Sequence, residues 1–153
     1  MRSRLHPLLI VVVTVLLSAC GEKATTVEDF NTRPVTLPNG KTINAEVMVN
    51  PQDMMRGMMF RESVAPDHGM LFFHSTAGKY KYWMYQVKIP LDIIWMDANH
   101  KVVEISANTP PCKSTSAQEC ANYGGNEDAK YVLELGGGGA ARNNIKVGDV
   151  IQF

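Results

Sequence analysis

Residues 82–97 read YWMYQVKIPLDIIWMD, a largely apolar and aromatic run with an acid, Asp92, in its interior. If residues 91–97 form a strand, Asp92 shares one face with Ile94 and Met96, and the residues of the other face are apolar as well. The strand is therefore predicted to be covered on both faces. A carboxylate buried in this way needs hydrogen-bond donors or a cation beside it, or it takes up a proton.

Two explanations of Asp92 remain open at the level of sequence. In the structural explanation it pairs with Arg56 or Arg61, or it accepts backbone N–H groups after Pro90. In the functional explanation it faces a ligand or takes part in catalysis, because perturbed carboxylates also cluster at active sites. Glu134 raises the same question in the apolar stretch YVLEL, where strand alternation also allows it to face solvent.

Strand-like stretches continue on both sides of this run. The turn DANHK and the returning KVVEIS at 101–106 predict a hairpin. Further strand signals lie on either side of PNGK, at 69–74, at 130–135 and at 149–153. Short strands at close spacing predict a mainly β fold, a compact jelly-roll-like sandwich or barrel with one or two short helices.

One short helix is predicted within NPQDMMRGMM. Asn50 is a suitable N-cap, Pro51 suits the first turn, and Gly57 can end the helix. We expect methionines to supply its buried side, namely Met54, Met55 and Met58.

The N-terminal segment has the layout of a bacterial lipoprotein signal. Arg2 and Arg4 precede an apolar run from Leu8 to Leu17, and LSAC ends at Cys20. The run is shorter than the roughly 20 apolar residues that a membrane-spanning helix needs. LSAC resembles a lipobox, which implies cleavage before Cys20 and a lipid on that cysteine. An ordinary signal peptide with an incidental cysteine is the alternative.

These signals divide the chain into three parts. We expect a signal peptide at 1–19, a lipidated N-terminus and flexible spacer at 20–33, and a single β-rich domain at 34–153. The lipid would tether the domain to the bacterial envelope, with the domain in the periplasm. Gly21 does not resemble an inner-membrane retention signal, so the outer membrane is the expected location.

The other two cysteines are predicted to form a disulfide. Cys112 and Cys120 lie in the polar, loop-like segment PCKSTSAQEC. In an exported chain, paired cysteines usually become a disulfide. A metal site is the alternative, but no histidine or further cysteine lies nearby to complete four ligands.

Composition and missing motifs argue against several function classes. The chain has 153 residues, 15 of them basic and 15 acidic, and no basic stripe interleaved with aromatics, so nucleic-acid binding is not expected. No serine-hydrolase or zinc-protease motif is found, and no cofactor is expected. The run GGGG lacks the Lys-Ser/Thr ending of a phosphate-binding loop and is predicted to be a flexible turn.

A methionine-rich segment allows a role in copper handling. MMRGMM holds four methionines within six residues, and His68 and His74 could add imidazoles. Thioethers suit Cu(I), but methionine is equally a common core residue.

Several motifs along the chain occur in an order that resembles a known family. They are RGMMFRE, GMLFFH, WM, IPLDIIWMD, KVVEI, YVLEL and IKVGDVI, between residues 56 and 151. In combination they resemble the domain of unknown function 192 family over about residues 43–153. The resemblance implies a compact, mostly β domain resembling a jelly roll, often exported in bacteria, and no established activity. The family pattern matches at Arg56, Gly57, Met59, Arg61, Gly69, Met70, Trp83, Met84, Pro90, Asp92, Glu134, Gly148 and Asp149.

The chain departs from this pattern between WM and IPLD. Tyr85, Gln86 and Val87 stand where the family usually has Lys-Asn-Thr. If the usual polar residues contact a ligand, this protein's ligand differs or its site is altered. The segment around PPCKSTSAQEC also resembles an insertion particular to a subgroup.

The leading hypothesis is an envelope lipoprotein whose β domain binds a small molecule, a glycan or an envelope protein. The predicted ligand-binding residues are Arg56, Arg61, Trp83, Met84, Asp92 and Glu134. The alternative is a hydrolase or lyase acting on envelope material, with Asp92 or Glu134 as acid or base. Binding is preferred to catalysis because no catalytic motif is found. Cu(I) handling in the periplasm is the third hypothesis.

Overall fold

The computed structural model describes residues 31–153, so the predicted signal peptide, Cys20 and most of the spacer lie outside the described residues. The fold is mainly β with two short helices, as predicted. The strands are β1 (Thr32–Thr36), β2 (Thr42–Met48), β3 (His68–Gly78), β4 (Tyr82–Trp83), β5 (Leu91–Met96), β6 (Val102–Thr109), β7 (Asn122–Tyr123) and β8 (Ala129–Gly136). The helices are α1 (Pro51–Arg56) and α2 (Gly139–Arg142), and a 3₁₀ turn lies at Ala117–Glu119.

Six of the strands form one mixed sheet in the order β1-β2-β3-β8-β5-β6, and β4 pairs with β7. β2 and β3 run parallel, and the other neighbours are antiparallel. The sheet does not close into a barrel. At one end, however, Gln152 bridges to Thr36 of β1, and Val150 bridges to Lys101 beside β6. The predicted strand at 149–153 is therefore a pair of single bridges that joins the two edges of the sheet.

β5 lies in the interior of this sheet and is buried along its whole length. Ile94 and Met96 belong to one hydrophobic core, whereas Leu91, Ile93 and Trp95 belong to the other. The predicted alternation and the predicted cover on both faces are confirmed.

The two faces of the sheet are covered by different kinds of structure. One face, called the α2 face, packs against Ala140 of α2 and against Ile145 and Ile151. The opposite face, called the cavity face, packs against side chains from α1, from the chain that follows it, and from the segment between β4 and β5. Because this second cover consists mostly of irregular chain, it leaves space above the sheet.

α1 begins and ends as predicted. The Asn50 side chain accepts the Asp53 N–H at 2.9 Å, Pro51 opens the first turn, and Gly57 ends the helix at φ 45°. Met58 is buried, but Met55 is 67% exposed, so the prediction that Met55 is buried is wrong. No residue of α1 is buried and only Met54 is half-buried, so the helix presents little of its surface to the core.

The glycine run forms a turn at Gly137 and Gly138, as predicted, and this turn leads directly into α2. Gly138 has φ 76°, a left-handed conformation that favours glycine, and Gly139 begins α2. A Cβ on Gly139 would lie 2.8 Å from the Cβ of Leu135. Glycine therefore allows α2 to approach β8 closely.

The predicted Cys112–Cys120 disulfide is present. The Cys112 N–H also donates to the Met84 carbonyl at 3.2 Å, which ties the disulfide loop to the residue after β4. Neither helix in residues 31–153 has the length and apolar character needed to cross a membrane.

Candidate functional site

Asp92 is held by backbone donors. Its Oδ1 accepts the N–H groups of Asn108 at 2.6 Å and Gly138 at 3.1 Å, and its Oδ2 accepts that of Ala140 at 2.7 Å. The side chain is fully buried on the α2 face and does not line the cavity on the opposite face of the sheet. This arrangement matches the structural explanation that invoked backbone N–H groups, and it connects β5 to the first turn of α2.

Two other predicted ligand-binding residues, Arg61 and Met84, also do not line that cavity. Arg61 pairs with Glu46, with Nη2 donating to Oε2 at 2.6 Å. Met84 is fully buried in the core of the cavity face. The structure therefore does not join Asp92 to either Arg56 or Arg61.

The remaining three predicted residues, Arg56, Trp83 and Glu134, line one cavity of about 360 Å³. The cavity lies above the sheet, between α1 and β4. Its walls are mainly thioether and aromatic side chains, including Met54, Met55, Met58, Met59, Phe72 and Tyr82. Lys81 adds a second basic residue to the lining.

Glu134 lies in the sheet beneath this cavity, between Met70 of β3 and Ile93 of β5. It is only 4% exposed, and its Oε2 is buried with no hydrogen-bond partner among the described residues. Burial raises the pKa of the carboxyl to about 8, and the positive charge of Arg61 opposes the shift. The group is therefore mainly protonated at neutral pH. The possibility that Glu134 faces solvent is wrong, because its face of the sheet is covered.

A histidine and a tyrosine accompany the acid. His74 Nε2 lies 3.2 Å from the hydroxyl oxygen of Tyr82, and the His74 ring stacks on Tyr80 with centroids 3.5 Å apart. Burial lowers the pKa of His74. The pKa of Tyr82 is raised, first by burial and then by Glu134 and Tyr80. At neutral pH the polar groups deep in the cavity are therefore uncharged.

Sequence reasoning missed Lys81, Tyr82 and Phe72 as residues of the cavity. Period two along β3 does place Phe72 and His74 on one face with Met70, which is the signal that could have found them. Lys81 and Tyr82 line the cavity because of the way the chain crosses over the sheet, and no local sequence pattern predicts that crossing.

Asp92 and Glu134 do not form a catalytic pair. Ile93 lies opposite Glu134, and Asp92 lies opposite Leu135. Since neighbouring residues on a strand point to opposite faces, Asp92 faces α2 and Glu134 faces the cavity. The glycosidase arrangement of two carboxyl groups flanking one bond is therefore excluded for this pair.

A profile of the DUF192 family, described as Uncharacterized ACR, matches residues 35–153. The chain belongs to the DUF192 family. No curated protein matches the chain.

Two solved structures resemble this DUF192 protein. One is from Sinorhizobium meliloti 1021 and is described as "a putative transcription regulator"; it is 30% identical, with 78% of this chain and 89% of that chain covered and a TM-score of 0.67. The other is a protein of unknown function from Novosphingobium aromaticivorans DSM 12444. It is 27% identical, with 93% of this chain and 99% of that chain covered and a TM-score of 0.73.

The segment 85–87, which we expect to depart from the usual family pattern, contributes to the cavity wall. Tyr85 and Val87 line the cavity, and the Gln86 carbonyl accepts the Phe60 N–H at 2.9 Å. The Tyr85 hydroxyl donates to the Thr115 carbonyl at 3.3 Å, within the disulfide loop. The wall of the cavity is therefore supported by the segment that the disulfide closes.

The described part of this DUF192 chain contains no group of three or more histidine, cysteine, aspartate or glutamate side chains placed to hold a metal ion. The side chains of the cavity that could bind a soft metal ion are its four methionines and His74.

Proposed function

We propose that this protein is an envelope lipoprotein whose β domain binds a small, largely apolar molecule in the cavity above Glu134. The observation that carries the proposal is the buried Oε2 of Glu134, which has no partner in residues 31–153. A buried polar atom without a hydrogen bond costs about 1–3 kcal/mol. A ligand that bonds to this carboxyl would remove that cost, and the apolar walls would hold the rest of the ligand.

Of the three ligand classes considered from sequence, a small molecule fits best. The cavity of about 360 Å³ falls in the size range of small-molecule sites, and its walls are methionine and aromatic side chains. A glycan would require many more polar groups, and a protein partner would require a much larger continuous face.

The test is native mass spectrometry of the full chain, purified without denaturant from an oxidising compartment. We expect an additional mass that survives gentle transfer and is released at high collision energy. Trp83→Ala should lose most of this mass, because it removes a wall of the cavity. Val147→Ala changes an exposed apolar residue that is not in the lining and should retain it. Equal occupancy in both variants would contradict binding in this cavity.

The envelope location rests on the sequence features at the N-terminus: Arg2, Arg4, the apolar run and Cys20. Cys20→Ser should abolish metabolic labelling with an alkyne analogue of palmitate and release the protein from the membrane fraction. Retention of the label in that variant would argue against lipidation at Cys20.

A second candidate function is acid–base catalysis by Glu134. It is favoured by one observation, a cavity-lining carboxyl whose pKa is raised to about 8, close to the working range of a general acid or base. The test is release of nitrophenolate from a panel of nitrophenyl esters and glycosides. Turnover by the unmodified protein that is lost in Glu134→Gln would support a hydrolase. Ligand retention by Glu134→Gln without any turnover in either protein would favour binding.

Cu(I) handling is supported by the presence of Met54, Met55, Met58 and Met59 in one cavity, with His74 in the same lining. The test is competition for Cu(I) with a chromogenic chelator. A copper role predicts that the protein withdraws the metal and that changing all four methionines to leucine abolishes this. The same native mass spectra would distinguish copper from an organic ligand.

A further inference from the structure

The charges at the cavity have one sign. Arg56 and Lys81 both line it and are exposed, and neither makes an ion pair within residues 31–153. Glu134 is the acid of this lining. The mouth of the cavity therefore has two available positive charges.

Two acids share a neighbouring cavity with Arg56. Glu46 and Asp53 line the adjoining polar cavity, which also includes Arg56. Glu46 is paired with Arg61, and Asp53 is bonded to Asn50 at the start of α1. The charge of Glu46 is therefore balanced by Arg61, whereas Asp53 keeps its charge and offsets part of the charge of Arg56, and neither acid forms an ion pair with Arg56 or Lys81.

The interior of the cavity favours an uncharged group. Tyr82, Phe72 and the methionines form the walls, and Glu134 and the His74–Tyr82 pair supply hydrogen-bonding atoms. A ligand charge placed there would lose its hydration without an opposite charge to replace it. The charge of a bound ligand therefore belongs at the mouth, beside Arg56 and Lys81.

From this arrangement we infer that the ligand is a small organic anion, whose apolar body enters the cavity and whose acidic group remains at the mouth against Arg56 and Lys81. The inference rests on the proposed binding function and specifies the chemical class of the ligand. It requires that two ligands with the same apolar body differ in affinity when only one of them is negatively charged.

Two fluorescent probes provide such a pair. Anilinonaphthalene sulfonate is an anion, and phenylnaphthylamine has the same aromatic body without the sulfonate. Both would be titrated into the full chain and into three variants. The first variant is Arg56→Gln with Lys81→Gln, and the second is Trp83→Ala. The third, Lys101→Gln with Lys146→Gln, is matched in charge and changes exposed residues outside the cavity.

We expect the sulfonate to bind about tenfold more tightly than the amine at low salt, as two partly exposed ion pairs would provide. The first variant should remove this preference, so that the sulfonate and the amine bind with similar affinity. Trp83→Ala should weaken both probes, and the charge-matched control should change neither.

The outcomes separate the two proposals. If both probes bind equally and Trp83→Ala weakens both, the ligand is not an anion but the binding function stands. If the charge-matched control loses the sulfonate as strongly as the first variant, the preference is a general effect of net charge and the inference is overturned. If neither probe binds, both the inference and the proposed function are overturned.

Discussion

At the scale of single residues, two acids on neighbouring strands have different environments. Asp92 accepts three backbone N–H groups, whereas Glu134 has a buried oxygen with no partner in the described chain. Asp92 therefore acts as a junction between strand and helix, and Glu134 is a polar group available to a ligand. The difference arises from the face of the sheet on which each residue lies.

Replacing Asp92 by alanine should destabilise the fold. Three backbone donors would lose a charged acceptor, and we expect the free energy of unfolding to fall by about 3 kcal/mol or more. Asp92→Asn keeps one acceptor oxygen and should lose less. Urea unfolding followed by circular dichroism would measure both. Asp128→Ala, at an exposed position, should change stability by less than about 0.5 kcal/mol, and a similarly small loss for Asp92→Ala would contradict the structural role.

Because of Glu134, the free energy of unfolding should fall as the pH rises. Its pKa is raised from 4.5 to about 8 in the folded state, so the folded state binds more protons than the unfolded state between these values. Protonation of Glu134 contributes its full stabilisation of the fold below about pH 4.5, and this contribution is lost progressively up to about pH 8. Relative to Glu134→Gln, the unmodified protein should lose about 3 kcal/mol between pH 4 and pH 7.

The measurement is urea unfolding of both proteins at pH 4, 7 and 9, read as the difference between them. The other ionisable groups named around the cavity, Arg56, Arg61, His74, Lys81 and Tyr82, are present in both proteins and largely cancel in this difference. Glu127→Gln, at an exposed position, should show no such trend. Parallel pH profiles for the unmodified protein and Glu134→Gln would show that burial does not perturb the acid.

At the scale of elements, the cover over the cavity face depends on the disulfide loop. Cys112 is tied to Met84, and Thr115 accepts the Tyr85 hydroxyl. β7 follows the loop and pairs with β4, which contains the cavity residue Trp83. The disulfide thus stabilises the loop that supports one wall of the cavity.

Changing both Cys112 and Cys120 to serine should lower the free energy of unfolding by about 2.5 kcal/mol, from the entropy of closing so short a loop in the unfolded chain. Thermal and urea unfolding would measure the loss. Reduction of the unmodified protein by dithiothreitol should produce the same loss, and reduction of the double variant should have no effect. If the double variant is as stable as the oxidised protein, the loop is held by its other contacts alone.

At the scale of the whole molecule, the segment 149–153 joins the two edges of an open sheet. Gln152 exchanges backbone hydrogen bonds with Thr36, at 2.7 and 3.1 Å, and the Ile151 N–H donates to the His100 carbonyl at 3.1 Å. The Ile151 side chain is fully buried on the α2 face. The segment therefore covers part of the sheet edge that would otherwise be available for pairing with other chains.

Adjacent residues of this segment offer a matched test. Ile151→Ala should cost about 2–4 kcal/mol of stability, because it leaves a cavity in the core. Val150→Ala alters a side chain that is 54% exposed and should cost less than about 0.5 kcal/mol. Differential scanning calorimetry would measure both, and equal losses would contradict a role for the Ile151 side chain in the core.

The amino-acid sequence by itself determined the features that depend on neighbouring residues. Period two along residues 91–96 predicts the two faces of β5, and both are buried. Asn50, Pro51 and Gly57 specify α1 through local capping chemistry, and the two cysteines of the polar loop predict the disulfide. The motif order predicts the family that the profile confirms.

Only the tertiary structure decided which polar groups belong to the candidate site. Alternation places Glu134 on a face but does not say whether distant chain covers that face. The partners of Asp92 are backbone groups of residues 108, 138 and 140, which carry no side-chain signature in the sequence. The cavity likewise depends on segments far apart in sequence, α1 and residues 81–87, meeting over the same sheet. Burial and hydrogen-bond partners depend on packing between residues that are distant in sequence. The local sequence pattern therefore predicts which residues are candidates, and only the tertiary structure shows their environments.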